Sequence, residues 1–180
     1  MLDHYLDPND LNQVDFPTGC TNFSNIAFQS KSEAACAALM QKYIPDWKLE
    51  PGRSYQVPLA QNRTADFKIG SSVIFEYHPI SLHRDMISDN ARRDLERHLK
   101  HCKEYLRETI TDAIRDELYY QYYSRRQILM KATPGLEHAE LIVTIDPKGF
   151  YRKIIQRFSD EPPRMQDFHR EWNHILRLAK

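Results

Sequence analysis

Two carboxylates and an imidazole stand out for their spacing. Asp66 ends the run Gln61-Asn62-Arg63-Thr64-Ala65-Asp66, and Glu76-Tyr77-His78 follows ten residues later. Alternate residues of a strand share a face. Glu76 and His78 therefore point one way, Phe75 and Tyr77 the other. If the loop between the two stretches is odd-numbered and centred on Ser71, Asp66 lies directly opposite Glu76. Like charges placed there repel by up to about 1 kcal/mol. A hard divalent cation, Mg²⁺ or Mn²⁺, relieves that repulsion because it takes carboxylate oxygens. Such a cation orients and polarises a phosphate and lowers the pKa of a bound water. His78 then orients or deprotonates the water, or serves as a ligand. Lys68 lies two residues beyond Asp66 on its face, and Glu33 is a possible third carboxylate.

The elements that must position these groups follow from local signals. Residues 1–29 are rich in Asn, Asp, Pro and Thr and read as an irregular N-terminal extension. Ser30 or Ser32 caps a helix whose first turn holds Glu33, and Pro45 ends it. After the Pro51-Gly52 turn come three strand-like stretches, Arg53–Leu59, Thr64–Ile69 and Val73–Ile80. Gly70-Ser71-Ser72 makes the last two a hairpin. A helical stretch runs from about Asp89 to Lys131. Its apolar stripe is Leu95, Leu99, Cys102, Leu106, Ile110, Ile114 and Leu118, with a break expected near Thr109–Thr111. Glu140–Ile145 reads as a strand buried on both faces, Gly149–Phe158 as a helix, and Met165–Leu178 as a last amphipathic helix after Pro162-Pro163.

On Asp66, Glu76 and His78, set in that element order, the chain resembles the PD-(D/E)XK nuclease superfamily. The resemblance spans roughly residues 30–158 and implies an α/β, restriction-endonuclease-like αβββαβα core. Its mixed central sheet would be flanked by helices and carry N- and C-terminal extensions. It also implies a metal-dependent endonuclease, DNA more than RNA, with Asp66 and Glu76 as metal ligands and Glu33 as the helix acid. Two positions depart from the family pattern. Ala65 precedes Asp66 where Pro is usual, and His78 stands where Lys is usual. Three outcomes stay open: His78 does the work differently, Lys68 supplies the fixed charge, or the site is inactive. Arg125 and Gln127 are unanchored matches to the Gln or Arg that the family often carries on the helix after the hairpin.

Composition bounds these readings. With 41% hydrophobic and 28% charged residues, the 180-residue chain is globular and the size of one domain, with its core at about 30–158 and a C-terminal helix within 163–180. Its apolar runs are too short for a bilayer, and its first residues lack a secretory signal. Three widely spaced cysteines without CxxC fit a reducing cytoplasm. His98 and Cys102, one helical turn apart, lack a second pair of zinc ligands. Five glycines without GxGxxG or a P-loop argue against nucleotide cofactors.

Net charge is zero, whereas a nucleic-acid binder usually carries excess positive charge. The basic residues are nevertheless clustered. Arg92, Arg93, Arg97, Lys100, Lys103 and Arg107 form one segment. Arg125, Arg126 and Lys131 form another, and Lys148, Arg152, Lys153 and Arg157 a third. Such runs are usually solvated helix faces. On the nuclease reading, Arg63, Arg92, Arg93, Arg125 and Arg126 meet the nucleic acid. Tyr119-Tyr120-Gln121-Tyr122-Tyr123 reads as core or as an interface with a second copy or another protein. The alternative function is an inactive nuclease-fold protein that acts as an interaction or assembly module.

Overall fold

The computed structural model describes residues 21–49, 54–78 and 104–180, with 21, 104–115, 117 and 118 as backbone alone. The chain divides into two compact units, one of 1–13 and 79–125, the other of 14–78 and 126–180. The structure is mixed α/β, with small sheets and several helices. Outside the described residues lie Arg92, Arg93 and the start of the long helix, together with Cys20, Cys102, His83, His98 and His101.

In the first unit the described residues are helical and belong to α2, Glu104–Lys131, whose residues from Arg126 onward are part of the second unit. The helix runs unbroken through Thr109–Thr111, contrary to the expected break. Three β-branched residues in a row lower helix propensity by only a few tenths of a kcal/mol each, roughly, too little to end a helix of 28 residues. Tyr119 and Tyr123, one turn apart, stack with ring centroids 6.3 Å apart.

Residues 21–28 are not irregular: β1, Thr21–Phe23, and β2, Ile26–Phe28, pair antiparallel. Ser24 and Asn25 turn the chain at φ 52° and 61°. Both fall in the left-handed region that a two-residue hairpin turn needs. The backbone of Lys180 bonds that of Asn22 in both directions, at 2.6 and 3.1 Å, which ties the chain end to β1.

Helix α1, Lys31–Tyr43, begins at Ser30, whose hydroxyl accepts the Glu33 N–H at 3.1 Å. Its inward face is Ala34, Ala35, Cys36, Ala37, Leu39 and Met40, all in the main core. Small side chains let the helix approach the sheet closely. Strand β3, Val57–Leu59, pairs antiparallel with β4, Arg63–Ala65, around a turn in which Gln61 and Asn62 are left-handed. The expected strand Thr64–Ile69 is broken at Asp66: β4 ends at Ala65 and β5 is Phe67–Ile69.

Strand β5 pairs antiparallel with β6, Val73–Tyr77, in the register Phe67↔Phe75 and Ile69↔Val73. The loop is Gly70-Ser71-Ser72, with Gly70 at φ +60°, a backbone conformation that glycine adopts without steric cost. Strand β7, Glu140–Thr144, lies parallel to β6 on its other side, so the sheet β5-β6-β7 is mixed. Residues 141–144 are all buried, although β7 is an edge strand of this sheet.

Helix α3, Pro147–Phe150, starts two residues before the expected Gly149, because Asp146 caps it through the Gly149 N–H at 2.6 Å. It continues through a π-helical turn, Tyr151–Ile155, into Gln156–Phe158. Helix α4, Met165–Leu178, buries Phe168, Trp172 and Ile175 on one face.

One face of the mixed sheet carries Phe67, Phe75 and Tyr77 into the main core with α1, α3 and α4. Phe67 stacks on Phe75 (5.6 Å) and Phe75 on Phe150 (5.5 Å), so aromatic rings join hairpin to helix. By alternation the other face carries Ile74 and Glu76, with register partners Leu141 and Val143. All four are buried yet lie outside the main core. Among the described residues, no helix is long and apolar enough to cross a membrane.

Candidate functional site

The hairpin sets the acids. Continued by one step, its register puts Asp66 opposite Glu76. The break at Asp66 frees that residue from the ladder, and its Oδ2 accepts the Tyr77 N–H at 2.8 Å. Both carboxylates are withdrawn from water, Asp66 at 8% exposure and Glu76 at 2%. Burial raises the Asp66 carboxyl well above the usual range. The charges of Glu76 and Glu33 raise it further, while the Tyr77 N–H and Arg126 pull it partly back.

Glu33 comes from α1, whose capping fixes it in the first turn. The sequence Ser30-Lys31-Ser32-Glu33 is a capping box. Glu33 Oε1 accepts the capping Ser30 hydroxyl at 3.5 Å, and its Oε2 accepts the Tyr55 hydroxyl at 2.6 Å. Tyr55 in turn accepts the Gln29 N–H at 3.1 Å. Burial raises the Glu33 carboxyl, with the Tyr55 hydroxyl the largest opposing influence. Burial and the Glu33 charge push the Tyr55 hydroxyl upward. Cys36, one turn along α1, is fully buried, and its thiol is raised by burial and by the charges of Asp66 and Glu33. Glu33, Asp66 and Glu76 thus act on a common region, Asp66 sensing both of the others.

Arg126 is the group that the sequence pattern assigned to nucleic acid and the structure sets against Glu76. Its Nε lies 3.3 Å from Glu76 Oε1, with the two side chains 21% and 2% exposed. Its Nη1 donates to the Thr64 carbonyl at 3.0 Å. One guanidinium therefore spans β6, which carries Glu76, and β4, which ends just before Asp66. No local pattern signals the pairing, because fifty residues separate Glu76 and Arg126. Tyr55 was missed for the same reason.

The remaining residues are more peripheral. His78 follows the end of β6, half-buried, and its N–H donates to the Thr144 carbonyl at 2.8 Å. Lys68 is exposed on the face opposite Phe67 and Ile69. Arg63 is exposed on β4, and Arg125 is exposed in the first unit. Gln127 is half-buried. In the third basic segment, Arg157 is bound to Glu140 through two contacts of 2.6 and 2.7 Å, and Lys153 Nζ donates to the Val143 carbonyl at 3.3 Å.

The donor types at Asp66, Glu76 and Glu33 are hard oxygens and suit Mg²⁺ or Mn²⁺. Among the described residues, no group of three or more His, Cys, Asp or Glu side chains is arranged to hold a metal ion. The acids are arranged about Arg126, Tyr55 and the Tyr77 N–H instead. No protein-family model matches the chain, and neither does any curated protein or solved structure. The class defined by fold and site is a mixed α/β protein with a buried acidic hairpin.

Proposed function

We propose that the protein is a metal-dependent phosphodiesterase that cleaves nucleic acid, DNA in preference to RNA, on a restriction-endonuclease-like core. The supporting observation is the placing of two buried acids, Asp66 at the break between β4 and β5 and Glu76 on β6, with Glu33 close enough to raise the Asp66 carboxyl. Carboxylates buried near one another are costly for a fold to keep. In an enzyme the same cost holds ligands ready for a cation.

Asp66 and Glu76 would hold Mg²⁺ or Mn²⁺, with Glu33 as a third acid. Bound there, the ion supplies charge for the phosphate and acidifies a water. The Tyr77 N–H fixes one oxygen of Asp66, leaving the other for ligation. Tyr55 holds one oxygen of Glu33 and the Ser30 hydroxyl donates to the other. His78 takes the proton of the attacking water, and exposed Lys68 offers a positive charge. Exposed Arg63 contacts the phosphate backbone.

Nicking of supercoiled DNA is the test. Cleavage is expected with Mg²⁺ or Mn²⁺, and Asp66→Ala and Glu76→Ala each abolish it. Cleavage that persists in EDTA refutes the reading.

A second reading, a non-catalytic interaction module of the same fold, is favoured by the Arg126–Glu76 contact, which already gives the more buried acid a cation. Tyr120, 65% exposed next to the Tyr119–Tyr123 stack, suits a second copy or a protein partner.

A further inference from the structure

The Arg126 guanidinium stands where a cation would have to act. It is held 3.3 Å from a carboxylate oxygen that the metal reading needs, and its other arm grips the Thr64 carbonyl two residues before Asp66. A divalent ion ligated by Asp66 and Glu76 would meet a fixed positive charge beside one of its ligands. In a pocket screened from water that repulsion is strong. The guanidinium and the ion also compete for the same lone pairs.

Arg126 nevertheless has a way out, because its side chain is 21% exposed while that of Glu76 is 2% exposed. A neutral anchor of its side chain, the Thr64 carbonyl, belongs to an exposed residue of β4. Once released, a planar guanidinium carries the paired donors that match two phosphate oxygens.

We infer that Arg126 is an exchangeable counter-ion: it closes on Glu76 in the metal-free protein, yields Glu76 to a divalent cation, and then binds the phosphate of a nucleic-acid strand. The inference rests on the metal-site reading above. It also accounts for acids that are gathered in one region yet arranged about a guanidinium.

The test uses the full chain and Mn²⁺ alone. Phenylglyoxal labelling of arginine, read by peptide mass spectrometry, compares Arg126 in EDTA and in Mn²⁺, with the Glu140-bound Arg157 as internal reference. Calorimetric titration with Mn²⁺ compares wild type with Arg126→Gln. Labelling of Arg126 is expected to rise severalfold with Mn²⁺ while Arg157 stays constant. Arg126→Gln is expected to bind Mn²⁺ about tenfold more tightly. If Mn²⁺ binds the wild type and Arg126 labelling does not change, or Arg126→Gln binds no more tightly, the exchange is refuted and the metal site stands. If neither protein binds Mn²⁺, the metal site fails and the exchange fails with it. If Arg126→Gln does not fold, labelling of the wild type decides alone.

Discussion

Removing Arg126 should destabilise the second unit through the acid it leaves behind. In Arg126→Met, Glu76 stays buried at 2% exposure without the guanidinium, and the Thr64 carbonyl loses a donor. Breaking a buried ion pair from one side costs about 3–5 kcal/mol. Arg126 is 21% exposed, which places this pair near the lower end, at about 3 kcal/mol. Glu76→Leu should cost only about 1 kcal/mol, because the freed guanidinium can turn to water and leucine packs beside Ile74, Leu141 and Val143. The double variant should lose no more than about 2 kcal/mol, giving a coupling energy of about 2 kcal/mol. Urea unfolding followed by tryptophan fluorescence measures this, since Trp47 and Trp172 both lie in the core of the second unit. A coupling within about 0.5 kcal/mol of zero would refute the argument that Arg126 compensates a buried charge.

The metal-free protein should lose stability as pH rises from the ordinary carboxylate range. Asp66 and Glu33 are both raised in the fold, so the folded state binds more protons than the unfolded one in that window. Their contribution is complete below the unfolded pKa and is lost as pH climbs through the folded values. Asp66→Asn should flatten the slope in EDTA, and an unchanged slope would count against its burial in charged form. Glu171 runs the other way. Its carboxyl is lowered overall because the bonds from Lys42 and Tyr43 outweigh its burial, so that contribution appears above the ordinary range and fades on acidification. Ser30→Ala removes the α1 cap and should cost about 1 kcal/mol in the same urea assay. No measurable loss would mean that the cap does not fix Glu33.

The hairpin was legible because its signals are local. Gly70 marks the turn, and the alternation of Phe67, Ile69, Val73, Phe75 and Tyr77 allows one register with the core on a single face. The helix starting at Ser30 was legible through capping, and buried β7 through its unbroken apolar run. The break at Asp66 was not legible, because propensity runs smoothly from Thr64 to Ile69 and the interruption comes from the Asp66 bond to Tyr77. The β1–β2 hairpin was hidden by polar residues, although Asn25 tolerates the left-handed turn. At the site, residue types revealed the acids but not their partners. Tyr55 and Arg126 reach Glu33 and Glu76 across 22 and 50 residues, and no local period encodes such pairings. The basic run containing Arg126 resembled a surface cluster for that reason.

On the proposed function, Asp66 and Glu76 together hold a divalent cation. Anomalous diffraction from crystals soaked in Mn²⁺ tests this. A manganese peak between the two carboxylates, lost in Asp66→Ala, is the predicted result. Manganese bound elsewhere, or Asp66 and Glu76 unliganded at saturating Mn²⁺, would contradict it.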